Sequence, residues 1–265
     1  MLQCPKCKKP LQKKENRYCC SNHHSFDIAK RGYVNLGLGN HHQTGDDKDM
    51  VRSRTAFLQH GYYQPLCDEL KKLCKQKQPT TLIDAGCGEG FYTNQIKDEL
   101  PACYIYGFDL SKYAVDEASK ARKGVFYAVC SVFHMPISSA CAEVVLSVFA
   151  PFDTKEICRV LQKDGWFIKV GPGARHLYEL KEQLYDDVYE NKVDDNRILD
   201  MELIDEKDLS YEITIDNQKD IWALFQMTPY FWKTPKKGSE HLKTLSSLTT
   251  SVEFHIEIYR KKACV

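Results

Sequence analysis

The sequence predicts an α/β fold, a mostly parallel sheet covered by helices on both faces, with a small metal-held module in front. Three observations carry that reading. From residue 80 onward short apolar runs alternate with helical stretches at the length of β-α units. The tail then switches to alternating runs that suit an antiparallel strand pair. Before either of these, Cys4, Cys7, Cys20 and His24 stand at the spacing C-x2-C-x12-C-x3-H.

That quartet comes first in the chain. Four soft ligands closing within so short a stretch read as one structural Zn2+ site, and a segment of this size buries too little apolar surface to hold itself without the metal. Cys19 and His23 share the x3 spacing, so the frame could slip by one residue. Cys20 and His24 are preferred because Tyr18 and Cys20 fall on one face of a strand and Cys19 on the other. The alternative is a group of buried thiols beside a surface histidine. Residues 1–36 also hold six lysines (Lys6, Lys8, Lys9, Lys13, Lys14, Lys30) with Arg17 and Arg31, against only Glu15 and Asp27. The local net charge is +6 in a chain of net +1, which leaves −5 on the rest. A basic module on an acidic body suits contact with phosphates, and a solvated lysine-rich face is the plain alternative.

Residues 37–49, rich in Gly, His and Asp, lack periodicity and read as a linker. Between 50 and 77, apolar positions three and four apart (Phe57, Leu58, Leu66, Leu70, Leu73), interrupted by Gly61 and Pro65, predict two helices. Strands follow at 81–84, 103–109, 125–130, 144–149 and 166–170, with helices at 92–100, 112–122 and 155–161. Residues 211–215 and 252–259 form the antiparallel pair, with a helix at 219–227 between them. The expected division is a module at 1–36, linker and helices at 37–78, and a larger domain at 79–265, with module and domain folding on separate cores. Hydrophobic and charged contents of 43% and 28% are ordinary for a water-soluble globular protein. No stretch is apolar enough to span a bilayer, and beyond the first module the cysteines are scattered singly, so a reducing, cytoplasmic location is expected.

Leu82-Ile83-Asp84-Ala85-Gly86-Cys87-Gly88-Glu89-Gly90 stands where the first of these strands opens into a helix. Gly86, Gly88 and Gly90 permit a sharp turn and a close approach of backbone to ligand, and Asp84 opens the loop. The G-x-G-x-G spacing differs from the dinucleotide G-x-G-x-x-G fingerprint. It suits S-adenosylmethionine, which has no pyrophosphate to seat on a helix N-terminus. Asp109, about twenty residues on at the end of the second strand, is placed to accept both ribose hydroxyls. A structural tight turn with a surface aspartate is the alternative.

With those residues the chain resembles the 23S rRNA (guanine-N1)-methyltransferases, the RlmA family. The likeness runs nearly end to end: the cysteine module followed by F-D-x-A-K-x-G-Y-V-N-L at 26–36, Gly61-Tyr62-Tyr63-Gln64-Pro65-Leu66, the loop at 84–93, Ala150-Pro151, residues 172–180 and Gln226-Met227-Thr228-Pro229. The glycine loop is shared by most class I methyltransferases, whereas the module joined to the F-D-x-A-K motif is far more specific. The resemblance implies a class I S-adenosylmethionine-dependent methyltransferase, Rossmann-like, with an N-terminal zinc ribbon. It also implies a homodimer, a ribbon that helps grip a 23S rRNA hairpin, and methylation of a guanine of the 748 or 745 type in hairpin 35. Cofactor contacts then fall on Tyr63, Gly88, Glu89 and His176 besides Asp109. Two residues depart from the pattern. Cys130-Ser131 stands where many class I enzymes carry an acidic adenine contact, and Phe152 follows Ala150-Pro151 where relatives can carry cysteine.

Such a reaction sets its own demands. Guanine N1 carries a proton and is a poor nucleophile while it does, so proton removal must precede or accompany transfer. The base must also be turned out of its hairpin and held against flat side chains. Phe149-Ala150-Pro151-Phe152, ending the fourth strand, is where this fold receives its acceptor, and Phe149 or Phe152 can stack on the base or serve as core. His134, Asp153 and His176 are candidate proton acceptors, and the catalytic group stays open among His134, Phe149, Pro151, Phe152 and Asp153. Arg175 reads as a phosphate or carbonyl contact, or as an exposed helix-end residue. Two other functions compete: a small-metabolite methyltransferase, which leaves the basic module unexplained, and a zinc-dependent RNA-binding protein with an inactive methyltransferase fold, against which the intact Gly86, Gly88, Gly90 and Asp109 stand.

Overall fold

The computed structural model describes residues 1–38, 46–121, 124–193, 197–198 and 200–262. Residues 39–45 of the expected linker, Arg122 at the end of an expected helix, and Cys264 lie outside the described residues. Three short strands, β1 (Gln12–Lys14), β2 (Arg17–Cys19) and β3 (Ser25–Asp27), pair antiparallel in a small sheet. The main sheet takes β4 (Val34–Asn35), β5 (Thr81–Ala85), β6 (Tyr104–Asp109), β7 (Val125–Val129), β8 (Ala142–Val148), β9 (Leu161–Pro172), β10 (Met201–Ile215) and β11 (Leu248–Lys261). Their spatial order is β10-β11-β9-β8-β5-β6-β7-β4. Strands β4 to β9 run parallel, while β11 is antiparallel to both β9 and β10, as the tail pattern predicts.

The helices are α1 (Lys48–Gln59), α2 (Gln64–Lys77), α3 (Phe91–Glu99), α4 (Lys112–Ala121), α5 (Thr154–Val160), α6 (Tyr178–Leu184), α7 (Gln218–Gln226) and α8 (Lys236–Leu242). Asp47 starts α1 by accepting the backbone N–H groups of Asp49 and Met50, and Pro65 starts α2, where a missing N–H costs nothing. Strand β5 is buried along its whole length, with Leu82 facing one core and Ile83 the other. On the Leu82 side lie Leu66, Leu70, Ile168, Leu224 and Phe254; on the Ile83 side lie Phe108, Val145, Phe167 and Tyr259.

Two features differ from the sequence reading. The tail strands are far longer than expected, and β10 shows water-facing residues on both faces through Asp205, Glu206 and Asp208. Pairing with β11 from Met201↔Lys261 to Ile215↔Leu248, not apolar alternation, defines it. The second difference is at residue 36. Val34 and Asn35 pair with Ala128 and Val129 in the main sheet, Gln3 N–H donates to the Pro136 carbonyl at 2.9 Å, and Tyr18 sits edge-on to Phe126 at 5.7 Å. Cys4, Leu11 and Cys20 belong to the same buried cluster as Ile83 and Phe108. The ribbon is docked on the larger domain, since so small a sheet gains its apolar burial from a neighbour.

The described cysteines are free thiols, and among the described residues no helix is long and apolar enough to cross a membrane.

Candidate functional site

The strand order reverses between β6 and β8 on either side of β5, and a cavity of about 630 Å3 opens there at the carboxyl ends of the parallel strands. The loop after β5 forms its floor. Gly86 has φ 89°, and a Cβ there would lie 2.3 Å from the Ala150 Cβ, so the loops after β5 and β8 meet with room only for hydrogen. Gly90 has φ 79°, and a Cβ there would meet the Tyr127 hydroxyl at 2.8 Å and Ala118 at 2.9 Å. Asp109 ends β6 with Oδ2 accepting the Gly88 N–H at 3.0 Å and Oδ1 accepting the Ser111 N–H at 2.8 Å. Burial pushes this carboxyl above its ordinary range, while the two N–H groups and Arg54 pull it back. Asp84 lies deeper. It accepts the Thr93 hydroxyl at 2.5 Å, and burial lifts its pKa to about 7.

Glu89 and Tyr63 also reach the cavity. Glu89 accepts Arg54 Nε at 2.5 Å, and the same guanidinium donates to Asp46. Burial works against the Arg54 charge, but the two carboxylates outweigh it and fix the cation. Tyr63 is buried, with its hydroxyl 3.5 Å from His176 Nε2. His176 itself does not line this cavity; it faces a neighbouring one of about 500 Å3. Its Nδ1 accepts the Glu253 N–H at 3.2 Å, and burial lowers its pKa to about 4. The ring is therefore neutral near pH 7 with its proton on Nε2, and it serves as a donor toward Tyr63.

The catalytic candidates separate by position. Phe149, in the left-handed region at φ 52° and 46% exposed, borders both cavities. Pro151 lines the first; Phe152 lines the second and packs edge-on to Phe167 at 5.1 Å. Asp153 caps α5 by accepting the Glu156 N–H at 3.1 Å. His134 is exposed and lines neither cavity. Arg175 stacks on Tyr178 at 4.1 Å and pairs with Glu179 and Glu190, which is the exposed helix-end role. Sequence reasoning missed Arg54, Asp46, Phe133 and Trp232, all lining the first cavity. Arg54 carries no local signal on a helix with other basic residues. Trp232, 66% exposed at the rim, follows three residues after Pro229 of the Gln-Met-Thr-Pro motif.

In the ribbon, Cys4, Cys7, Cys20 and His24 converge, their ligand atoms all within 4.8 Å of one another. Cys4 Sγ lies 3.3 Å and Cys20 Sγ 3.5 Å from His24 Nδ1, and Cys7 Sγ lies 3.6 Å from Cys20 Sγ. Tetrahedral zinc with bonds of about 2.0 to 2.3 Å needs ligand atoms roughly 3.5 to 3.8 Å apart, so the set fits. Cys19 instead turns to the Ser25 hydroxyl at 3.6 Å, outside the group of four. All eight basic side chains of residues 1–36 are exposed.

The large cavity likewise fits S-adenosylmethionine: the glycine cradle admits backbone contact, Asp109 stands at the second strand end, and the volume holds a nucleoside with its amino-acid arm. Bound there, the cofactor would supply an electrophilic methyl group.

Comparison with known proteins agrees. Residues 2–42 match the zinc-ribbon family described as "RlmA, N-terminal", and residues 83–169 match "Methyltransferase domain". The YxjB protein of Bacillus subtilis, named "Putative 23S rRNA (guanine-N(1)-)-methyltransferase", is 32% identical over 98% of this chain and 97% of its own. The "23S rRNA (guanine(748)-N(1))-methyltransferase" of Streptomyces fradiae is 34% identical over 69% of this chain and 67% of its own. Among solved structures, the YcgJ protein of Bacillus subtilis superposes with a TM-score of 0.50 at 16% identity, covering 75% of this chain and 98% of that one, a likeness of fold alone. A methyltransferase sheet, a glycine-cradled cavity and a docked ribbon, matched nearly end to end by the YxjB relative, place this chain in the 23S rRNA (guanine-N1)-methyltransferase family.

Proposed function

We propose that this chain transfers a methyl group from S-adenosylmethionine to N1 of a guanine in hairpin 35 of 23S rRNA, of the 748 or 745 type, in the cytoplasm. The observation that carries the reading is a basic, metal-fitted ribbon docked on the same domain as a cofactor cavity lined by the exposed aromatics Phe133, Phe149 and Trp232. Phosphate contacts by the ribbon position the hairpin, and the aromatics hold a base turned out of the stack. Within the cavity Asp109 accepts the ribose hydroxyls, Gly86, Gly88 and Gly90 admit the cofactor, and Asp84, Glu89 and Tyr63 complete the wall. His176 acts from behind, donating to the Tyr63 hydroxyl and so turning that O–H toward the cavity. Cys4, Cys7, Cys20 and His24 hold Zn2+. The family resemblance supports a homodimer as the working unit, which light scattering in solution would check. Methyl incorporation into protein-free 23S rRNA, with primer extension across hairpin 35 on RNA from strains with and without the gene, tests the assignment. A stop at one guanine is expected, and its absence, or methylation of small metabolites alone, would overturn it.

A further inference from the structure

The cavity that fits S-adenosylmethionine is unevenly charged. Asp46, Asp84, Glu89 and Asp109 line it, and among the described residues Arg54 is the one basic side chain set against them. A sulfonium with an aminobutyrate arm brings two positive groups and a single carboxylate. The positive groups meet acidic partners along such a wall, whereas the carboxylate needs a donor that the wall offers at few points. The backbone of the glycine loop is already engaged. Gly86 and Cys87 N–H both donate to the Phe108 carbonyl, at 2.8 and 3.1 Å, and Gly88 N–H donates to Asp109 at 3.0 Å.

Arg54 is held in place with donors to spare. Its Nε donates to Glu89 Oε2 at 2.5 Å, and its Nη1 donates to Asp46, whose backbone carbonyl accepts the Ser111 hydroxyl at 2.7 Å. Two carboxylates thus fix the guanidinium plane. Nη2 has no partner among the described residues, and a Cβ at Gly88 would lie 3.1 Å from it, so this nitrogen stands over the middle glycine of the loop. Glu89 Oε1 is likewise without a partner among them. Asp220 Oδ1 is the fully enclosed side-chain polar atom left unpartnered among the described residues, so Nη2 and Oε1 both reach accessible space. With the Arg54 side chain 19% and the Glu89 side chain 6% exposed, water screens the pair weakly and a further charge beside it is strongly felt.

We propose that Arg54 receives the carboxylate of the cofactor through Nη2 above Gly88, while Glu89 Oε1 receives the ammonium of the same arm. This rests on the methyltransferase reading above. The two open atoms belong to opposite partners of one ion pair, so the arm's carboxylate and ammonium extend that pair into an alternating set of four charges. Recognition is then divided along the ligand, with Asp109 toward the ribose and Arg54 toward the amino-acid end. A nucleoside without that end would forgo the Arg54 contact and nothing else.

Calorimetric titration of the full-length protein tests this with three probes: S-adenosylhomocysteine, its carboxamide, in which a neutral amide replaces the carboxylate, and methylthioadenosine, which lacks the arm's charged end. In wild type the homocysteine compound should bind about 10- to 100-fold more tightly than its carboxamide. In Arg54→Met that ratio should collapse toward one, while methylthioadenosine binds as it does to wild type. Arg54→Lys, a cation without the planar fork, should restore part of the ratio. Circular dichroism checks folding, and Arg54→Gln carries the same comparison if the Met variant does not fold. An equal ratio in wild type and variant, or a parallel loss of all three ligands in Arg54→Met, would make Arg54 a brace of the loop and overturn the assignment. Wild-type protein that binds none of the three would overturn the methyltransferase reading as well, so the two failures are distinguishable.

Discussion

Asp109 and Asp84 are both buried carboxylates at strand ends, yet their surroundings assign them different work. Asp109 accepts two backbone N–H groups, one of them from Gly88, so it organises the loop beside its proposed contact with the ribose. Asp109→Ala should weaken S-adenosylmethionine binding by about 1.5 to 3 kcal/mol for one charge-assisted hydrogen bond, and calorimetry giving wild-type affinity would refute the role. Asp84 has a single neutral donor, Thr93, and its carboxyl is held up at about 7 by burial. A raised carboxyl binds a proton in the folded state that the unfolded chain releases, so its contribution to stability is full below the ordinary carboxylate range and falls as pH rises toward 7. Asp84→Asn should therefore gain stability over wild type between pH 5 and pH 8, at most on the order of 1.4 kcal/mol per pH unit crossed. Urea unfolding of the cofactor-free protein at the two pH values measures the difference. An unchanged gap would place Asp84 in a better-solvated site than its burial suggests. Of these two roles the sequence announced the first through strand-end position, but the charge state of Asp84 depends on packing that no motif records.

At the scale of elements, the ribbon shows how a module can be legible while its attachment is not. The four ligands were readable because metal chemistry dictates residue type and spacing together. The docking was hidden because Val34-Asn35 is too short a run to announce a strand, and its partner β7 is remote in sequence. The same limit explains β10, whose polar residues give no alternation, and α6 and α8, each of seven residues and too short for a periodic signal. The buried strand β5 and the alternating parts of the tail strands β10 and β11 were found, although the full extent of the tail pair was not. Docking changes what metal loss should do. A Cys4→Ser, Cys7→Ser double variant should lose its zinc by metal analysis, and its thermal midpoint should fall along with the midpoint for the whole chain, because Cys4 and Cys20 share a core with Ile83 and Phe108. Independent melting of ribbon and larger domain by calorimetry would contradict that coupling.

For the molecule as a whole, the separation of charge matters more than its near-zero sum. The exposed basic residues of the ribbon lie on a body of opposite net sign, a distribution that orients a polyanion toward one end. Replacing Lys8, Lys9, Lys13 and Lys14 by Gln should weaken hairpin binding and flatten its salt dependence by roughly 0.7 to 0.9 in log-log slope for each phosphate no longer neutralised. Cofactor affinity and the identity of the methylated guanine should not change. Filter binding across a salt series that returns the wild-type slope would leave these lysines as a solvated face. The fold class, the ribbon and the cofactor loop could all be read from the chain. The second cavity could not, since it arises from the loop after β8, the end of β9, the loop before α6 and the turn after α7 meeting in space. The pairing of β4 with β7 also has a kinetic side. The ribbon is synthesised roughly ninety residues before the strand on which it docks, so during translation it must wait as a metal-closed knob while the edge of β7 does not yet exist. Its own ligands then hold it together, and the fastening of Val34 and Asn35 onto Ala128 and Val129 is a late event of high contact order that zinc starvation would delay and expose to aggregation.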